Sequence, residues 1–404
     1  MATVERTLQR TELRTLAILG VPTFALALAI TTVSTYLPVI AEDFSDSSIV
    51  VGLLIGGEGL MALWLPLVIG SWSDALRTPI GRRLPFIIGA TPPLVAALVL
   101  LGFVNSIAGA AIVVALFFVG YFVAYEPYRA LYPDLVESDI AGRAQASQAI
   151  FRGLGTFLAL AGGGLLISIG QPLPFVAAAV VVGASLGAFG WAGVRYRRRE
   201  RRPEDEAIVQ VCRHIAQLVR GQRELQAFLT ANALWELALS ALKTFVVLYV
   251  TETMGLSLAE SSLVIGAAAV VVLAGALVSG TLGDRIGRAR VMRASLLVYG
   301  LGLLVPFVTT VPWVVAFDVP LVAFGGGVTM SLPYALLMPM MPTGAHGAVT
   351  GLYSLSRGLG VALGPLLGGV AIEAAGTDYR WVWLVCAAAI LLSVPAMRPL
   401  RDQH

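Results

Sequence analysis

The sequence predicts an all-α membrane protein of twelve transmembrane helices in two pseudo-symmetric six-helix bundles, and three observations carry that prediction. Of 404 residues, 57% are hydrophobic and 13% charged, with a mean hydropathy of +0.84. A soluble domain carries about 25% charged residues, so an ordinary soluble enzyme is excluded. At roughly 20 to 22 residues per crossing, twelve crossings take about 250 to 265 residues and leave short loops with one longer linker. The third observation is an internal duplication, set out below.

Apolar runs bounded by charge or turn residues fall at 15–40, 48–71, 85–106, 109–133, 145–169 and 173–194, and again at 225–250, 258–282, 291–311, 313–338, 347–372 and 380–397. They are numbered helices 1 to 12. The first run is too long for a signal-peptide core and has no small-residue cleavage pattern behind it, so it reads as helix 1 of the mature protein. The expected domains are residues 1–194, a charged linker at 195–224, and residues 225–404. Basic residues are retained on the cytoplasmic side. With the N-terminus inside, 22 of the 27 Lys and Arg residues fall in cytoplasmic segments, including a cluster from Arg195 to Arg202, and Arg380 alone lies in an outer loop. This predicts a multi-pass protein of a cell (inner or plasma) membrane with both termini cytoplasmic. The basic cluster reads as a topology signal rather than a lipid-headgroup site, and the dispersed charge argues against a nucleic-acid partner. Cys212 and Cys386 are far apart, as are His214, His346 and His404, so neither a disulfide framework nor a metal site is expected.

The duplication has a register of about 206 residues. Arg152-Gly153-Leu154-Gly155 recurs as Arg357-Gly358-Leu359-Gly360, Pro127-Tyr128 with Pro133 as Pro333-Tyr334 with Pro339, and Gly81-Arg82 as Gly287-Arg288; Asp74 matches Asp284 once a four-residue length difference is allowed. Six helices separate the copies, so both bundles have one orientation and are related by an axis along the membrane normal. Such a pair leaves a cavity at the midplane suited to alternating access.

An ionised side chain at the bilayer centre costs roughly 2.5–3.5 kcal/mol on insertion scales and marks a functional candidate. Eight occur within helices: Glu58, Glu126, Glu236 and Asp318, balanced by Arg129, Arg152, Lys243 and Arg357. Glu58, inside Gly56-Gly57-Glu58-Gly59, is near the midplane; small flanking residues let a neighbouring helix approach closely. Glu126 and Arg152 lie at similar depths on adjacent helices and suit either cation coupling or a fixed ion pair. Asn232, Trp235 and Glu236 share a face of helix 7 with Lys243 and are expected to line the cavity. Lys243, the sole lysine, is expected to form a structural or gating salt bridge with Asp318. Tyr121, Tyr125, Tyr128 and Tyr132 make a stripe on helix 4, either helix packing or a platform for a sugar ring; Tyr125 and Tyr128 are its substrate-binding candidates.

The run from Gly280 to Arg288 resembles the signature loop of the major facilitator superfamily, and Gly70-Ser71-Trp72-Ser73-Asp74 with Gly81-Arg82-Arg83 resembles its lengthened version. Continuing into Leu84-Pro85-Phe86-Ile87, and taken with the run from Pro127 to Leu135, the chain is similar to the glycoside-pentoside-hexuronide cation symporters and the related sucrose/proton symporters. The resemblance implies coupling carboxylates on helices 2 and 4, matched by Glu58 and Glu126, and basic substrate-site residues on helices 5 and 11, matched by Arg152 and Arg357. It also implies that Gly70, Asp74, Arg82, Asp284 and Arg288 latch the halves. The acidic residue that such symporters carry on helix 1 is missing here. The expected function is therefore cation-coupled, chiefly proton-coupled, symport of a sugar or glycoside, with a proton-linked exporter of lipophilic solutes and an organic-anion carrier as alternatives. Neither an enzyme activity nor a cofactor beyond the coupling H⁺ or Na⁺ is expected. The expected partners are the solute, the coupling cation and membrane lipids, and the protein is expected to be a monomer.

Overall fold

The computed structural model describes residues 2–135, 141–195, 222–340 and 346–400, and among them there is helix and no strand. The helices are α1 (Ala2–Ala41), α2 (Ser48–Ala75), α3 (Leu84–Leu101), α4 (Ile107–Leu135), α5 (Ala141–Ile169), α6 (Leu173–Arg195), α7 (Arg223–Leu248), α8 (Leu258–Ile286), α9 (Arg288–Gly302), α10 (Pro312–Leu337), α11 (His346–Ala374) and α12 (Trp381–Ala396). Ten of these are long and apolar enough to cross a membrane, as is α9 when taken with the turn that follows it (Arg288–Val308), and the sixteen-residue α12 is a shorter apolar helix. Most of the linker, with Cys212 and His214, lies outside the described residues.

Helix ends follow local chemistry. In Ser257-Leu258-Ala259-Glu260, the Ser257 hydroxyl accepts from the Glu260 N–H at 3.3 Å while the Glu260 carboxylate accepts from the Ser257 N–H at 2.9 Å. This reciprocal capping satisfies two donors that a helix start leaves open. The predicted break after residue 282 falls later, because α8 stays helical through Ile286 and turns only at Gly287, whose φ of 99° favours glycine. The predicted ninth span is interrupted, ending at Gly302 before a separate turn at Val305–Val308. At its far end α7 continues as a five-residue π-turn, Tyr249–Thr253.

The helices pack into two compact units that cut across the sequence halves: Met1–Val33 with Trp64–Pro203, and Ser34–Leu63 with Glu204–His404. In unit one, α1 crosses α5 closely, since a Cβ on Gly155 would stand 2.3 Å from the Phe24 carbonyl oxygen. Buried Leu94, Leu98, Phe117 and Phe118 join α3 to α4. In unit two, the last turns of α1 and the first half of α2 belong with α7 to α12. There α10 lies on α8, where a Cβ on Gly327 would meet the Val272 carbonyl oxygen at 2.0 Å. Lipid removes the hydrophobic drive between helices, so small residues that permit dispersion contacts hold such a core together.

Candidate functional site

A glycine stripe on α11 and a pair of glycines on α2 build the site within unit two. Gly360, Gly364 and Gly368 recur every fourth residue and therefore share one helical face. A Cβ on Gly360 would lie 2.4 Å from the Ala233 oxygen, one on Gly364 2.3 Å from the Leu237 oxygen, and one on Gly368 3.0 Å from the Phe245 ring, so this face presses on α7. Toward α2, a Cβ on Gly59 would stand 2.1 Å from the Ala362 nitrogen, one on Gly56 2.8 Å from the Ala362 oxygen, and one on Gly369 2.2 Å from the Ser48 oxygen. Three helices thus meet at backbone distance, and their charged side chains are brought together.

Arg357 and Glu236 are bridged, Nε to Oε1, at 3.4 Å, and Lys243 lies in electrostatic range of Glu58, Glu236 and Arg357. Glu58 is ten residues into α2 from Ser48, and Lys243 is ten residues before the end of the π-turn at Thr253. Glu236 precedes Thr253 by seventeen residues, as Arg357 precedes Ala374. At about 1.5 Å per residue the four form a two-rung ladder, Glu58 with Lys243 about 15 Å deep and Glu236 with Arg357 about 10 Å deeper. Two carboxylates and two cations balance, which lowers the cost of holding each in an apolar environment.

The expected partner of Lys243 is corrected. Asp318 turns toward α9, its carboxylate against Gly302, and Lys243 is instead in electrostatic range of Glu58 on α2. The cause is the seating of α10 on α8 and α9 through Gly327 and Gly325, which aims Asp318 at α9.

Two neighbours on α7 do not line a cavity as the sequence predicts. Trp235 is fully buried, edge-on to Phe228 at 6.0 Å, and its indole N–H donates to the Ser393 hydroxyl of α12 at 2.8 Å. Neither ring face is left for a ligand. Asn232 is buried too and donates to the Ser356 hydroxyl at 2.8 Å, bracing α11 one residue before Arg357. We expect Trp235→Phe to lower stability by about 0.6 kcal/mol, a typical interhelical hydrogen bond in a membrane, and to leave solute affinity unchanged; thermal unfolding in detergent and a binding isotherm measure both.

In unit one the tyrosine stripe divides. Tyr128 is a correction: it is 1% exposed, its hydroxyl donates to the Leu19 carbonyl and bonds Thr23, and it ties α4 to α1 rather than facing a solute. Tyr125 is accessible, stacked on Tyr121 at 5.3 Å and 16°, and its hydroxyl accepts from Arg152 Nη2 at 3.4 Å. Glu126 follows it and is half-buried. The Tyr132 side chain is outside the described residues, as is that of Asp74.

At the signature loops the sequence register slips by one. Arg288 holds Asp284 at 2.8 Å and donates to the Ala335 carbonyl. In unit one the matching donor is Arg83, whose guanidinium donates to the Ala130 carbonyl, while Arg82 is half-buried beside it. Both contacts span 47 residues. The 205-residue spacing of Arg152 and Arg357 already aligns Arg83 with Arg288; the glycine match, one residue longer, favoured Arg82. Gly81 and Gly287 nevertheless correspond, with φ of 103° and 99°. Gly70 makes no close approach, since a Cβ there would meet nothing within 4 Å.

The chain is similar to known proteins. The Escherichia coli class C tetracycline resistance protein is 25% identical over 401 residues, 95% of this chain and 96% of that protein. The Vibrio anguillarum class G tetracycline resistance protein is 31% identical over 150 residues, and this match spans about a third of each chain, 37% here and 36% there. Among solved structures, a bacterial homologue of the human lysosomal transporter Spinster, in an inward-facing and occupied conformation, superposes with a TM-score of 0.77 at 15% identity over 96% of this chain and 95% of that one. The sequence profile described as Major Facilitator Superfamily matches residues 19–280 and again 228–403. Given a profile that fits both copies of the duplication and loops that fold alike in each, the chain belongs to the Major Facilitator Superfamily of membrane transporters.

Proposed function

We propose that the protein is a proton-coupled secondary transporter of a hydroxylated organic solute, working as a monomer by alternating access in a cell membrane with both termini cytoplasmic. The observation that carries this reading is the charge-balanced ladder of Glu58, Lys243, Glu236 and Arg357. A proton that neutralises one rung's carboxylate leaves its cation unpaired, so the helices that share the rung repack. A ligand shifts a conformational equilibrium only by its differential affinity for the two states, and a rung that exists in one packing but not the other provides that difference. Glu126 and Arg152 are the corresponding candidates in unit one, and Asp74, Arg82, Asp284 and Arg288 remain candidates for controlling closure.

Two solute classes have support. For a sugar or glycoside it is the stacked Tyr121 and Tyr125 with Arg152 at hydrogen-bond range, together with the lengthened loop running into Leu84-Pro85-Phe86-Ile87. For an exported drug it is the end-to-end similarity to the class C tetracycline resistance protein, strengthened by the burial of Trp235 and Tyr128, which removes two rings from the polyol platform. The test is accumulation of labelled disaccharides and of tetracycline in proteoliposomes under an imposed proton gradient. In the wild type one class is expected to accumulate. Glu58→Gln and Glu236→Gln are expected to lose at least tenfold in gradient-driven accumulation while keeping downhill exchange. Full accumulation in both variants would sink the coupling role of the ladder.

A further inference from the structure

Away from the ladder, the connections that follow α1 and α11 and the ends of α2 and α7 in unit two border an open cavity of about 700 Å³. Glu42, Asp46, Glu252 and Asp378 line it, with Arg380 as the basic group among its lining residues. Arg380 is already committed: its guanidinium grips Asp378 through Nη2 at 2.6 Å and Nε at 2.9 Å, and the backbone N–H of Arg380 donates to the same carboxylate. The Glu42, Asp46 and Glu252 carboxylates line the cavity without that cation.

Two contacts close this end. The Tyr379 hydroxyl, from the connection between α11 and α12, donates to Glu42 Oε1 just past the end of α1. Glu373, on the last turn of α11, accepts from the Ser47 hydroxyl at 2.7 Å and the Ile49 N–H at 3.3 Å. A carboxylate there caps α2 and complements the positive end of its dipole. Facing Glu42 from α7 is Glu252, carried on the π-turn, a geometry that inserts an extra residue into a helix and recurs at functional sites.

We propose that Glu42 is a proton-binding site separate from the ladder, and that its protonation keeps the ends of α1 and α2 clamped on α7 and α11. The neutral carboxyl accepts from Tyr379 without repelling its neighbours. The carboxylate puts a charge beside Glu252 and Asp43, in a cavity that Asp46 also lines and with Asp378 and Arg380 neutralising each other, so the clamp opens. Burial first, and then the charges of Glu252 and Asp43, push Glu42 from the ordinary 4.5 up to about 7. Opening releases the carboxyl to water and returns it toward 4.5. A group whose affinity for protons is higher in the closed form favours closure most below pH 4.5. That preference declines as pH rises toward 7 and levels off above it, changing the closed-to-open ratio by up to about tenfold per pH unit inside the window.

The experiment uses the substrate-free full chain in lipid nanodiscs, so its outcome is independent of whether transport is proton-coupled. In a background with Cys212 and Cys386 replaced by alanine, nitroxides at Ser45→Cys and Thr310→Cys report the separation across the cavity by pulsed electron resonance. The wild type is expected to shift toward longer separations between pH 4.5 and 8, and Glu42→Gln to keep the pH 4.5 distribution throughout. Tyr379→Phe is expected to enlarge the open fraction at pH 4.5. If Glu42→Gln does not fold, Glu252→Gln serves instead and is expected to move the response to lower pH, because one charge that helps hold the proton is gone. Identical distributions at pH 4.5 and 8, an undiminished response in Glu42→Gln, or an unmoved response in Glu252→Gln would each overturn the proposal.

Discussion

Gly364→Ala is expected to unfold the protein at markedly lower temperature and to abolish transport, whereas Gly162→Ala is expected to be neutral or slightly stabilising. The two substitutions add the same methyl group to the interior of a long helix. In an open helical position that change restricts the unfolded chain and stabilises by about 0.4–1 kcal/mol. At Gly162 a Cβ meets nothing within 4 Å, so this is the expected outcome. At Gly364 it would sit 2.3 Å from the Leu237 carbonyl oxygen and 2.9 Å from the Ala241 nitrogen. Backbone cannot swing aside as a flexible side chain does, so α7 and α11 must separate. Overpacking of this kind costs about 1–3 kcal/mol and occasionally more. Separation also pulls Arg357 from Glu236, which is why loss of transport should exceed what residual folded protein accounts for. Thermal unfolding of purified protein and uptake normalised to folded protein distinguish the two effects. Equal melting temperatures for the two variants would refute the close-packed seam.

The second large effect is expected at the upper rung. Lys243→Met alone leaves Glu58 in range of Glu236 without the Lys243 charge, and two like charges in a poorly solvated place repel strongly. We expect this variant to be destabilised and inactive, and Glu58→Gln alone to be destabilised less, because Arg357 still engages Glu236. The double variant should recover part of the stability lost in Lys243→Met without recovering gradient-driven transport. In a double-mutant cycle the coupling is expected at about 1–3 kcal/mol. The Asp318→Asn and Lys243→Met pair is the control and should be additive, since Asp318 faces α9. Coupling to Asp318 rather than Glu58 would show that the rung is drawn between the wrong residues.

Much of this was legible from sequence for a definable reason. Crossing an apolar layer about 30 Å thick requires a long apolar run whatever the helix packs against, so the spans could be read locally. The duplication was equally readable, and Arg83 and Arg288, each reaching a carbonyl 47 residues on, show it persisting into side-chain contacts. The eight charges inside the spans were identifiable because their rarity there is itself the signal.

Partner choice was not legible. Trp235 lies beside Glu236 in sequence, yet one residue is 100° around the helix from the next; Glu236 meets Arg357 while Trp235 enters the core against Ser393. Lys243 had Asp318 as a sensible partner by depth and charge, and the choice of Glu58 depended on how near α2 and α11 come. That distance is decided by Gly56 and Gly59 on α2 and Gly369 on α11, two helices some 300 residues apart in the chain. An all-helical, duplicated membrane transporter, and the charges it keeps in its spans, follow from composition and period along single segments and were readable there. Which of those charges meet was set by the folded chain, because that turns on helix rotation and on backbones approaching to within one missing methyl group.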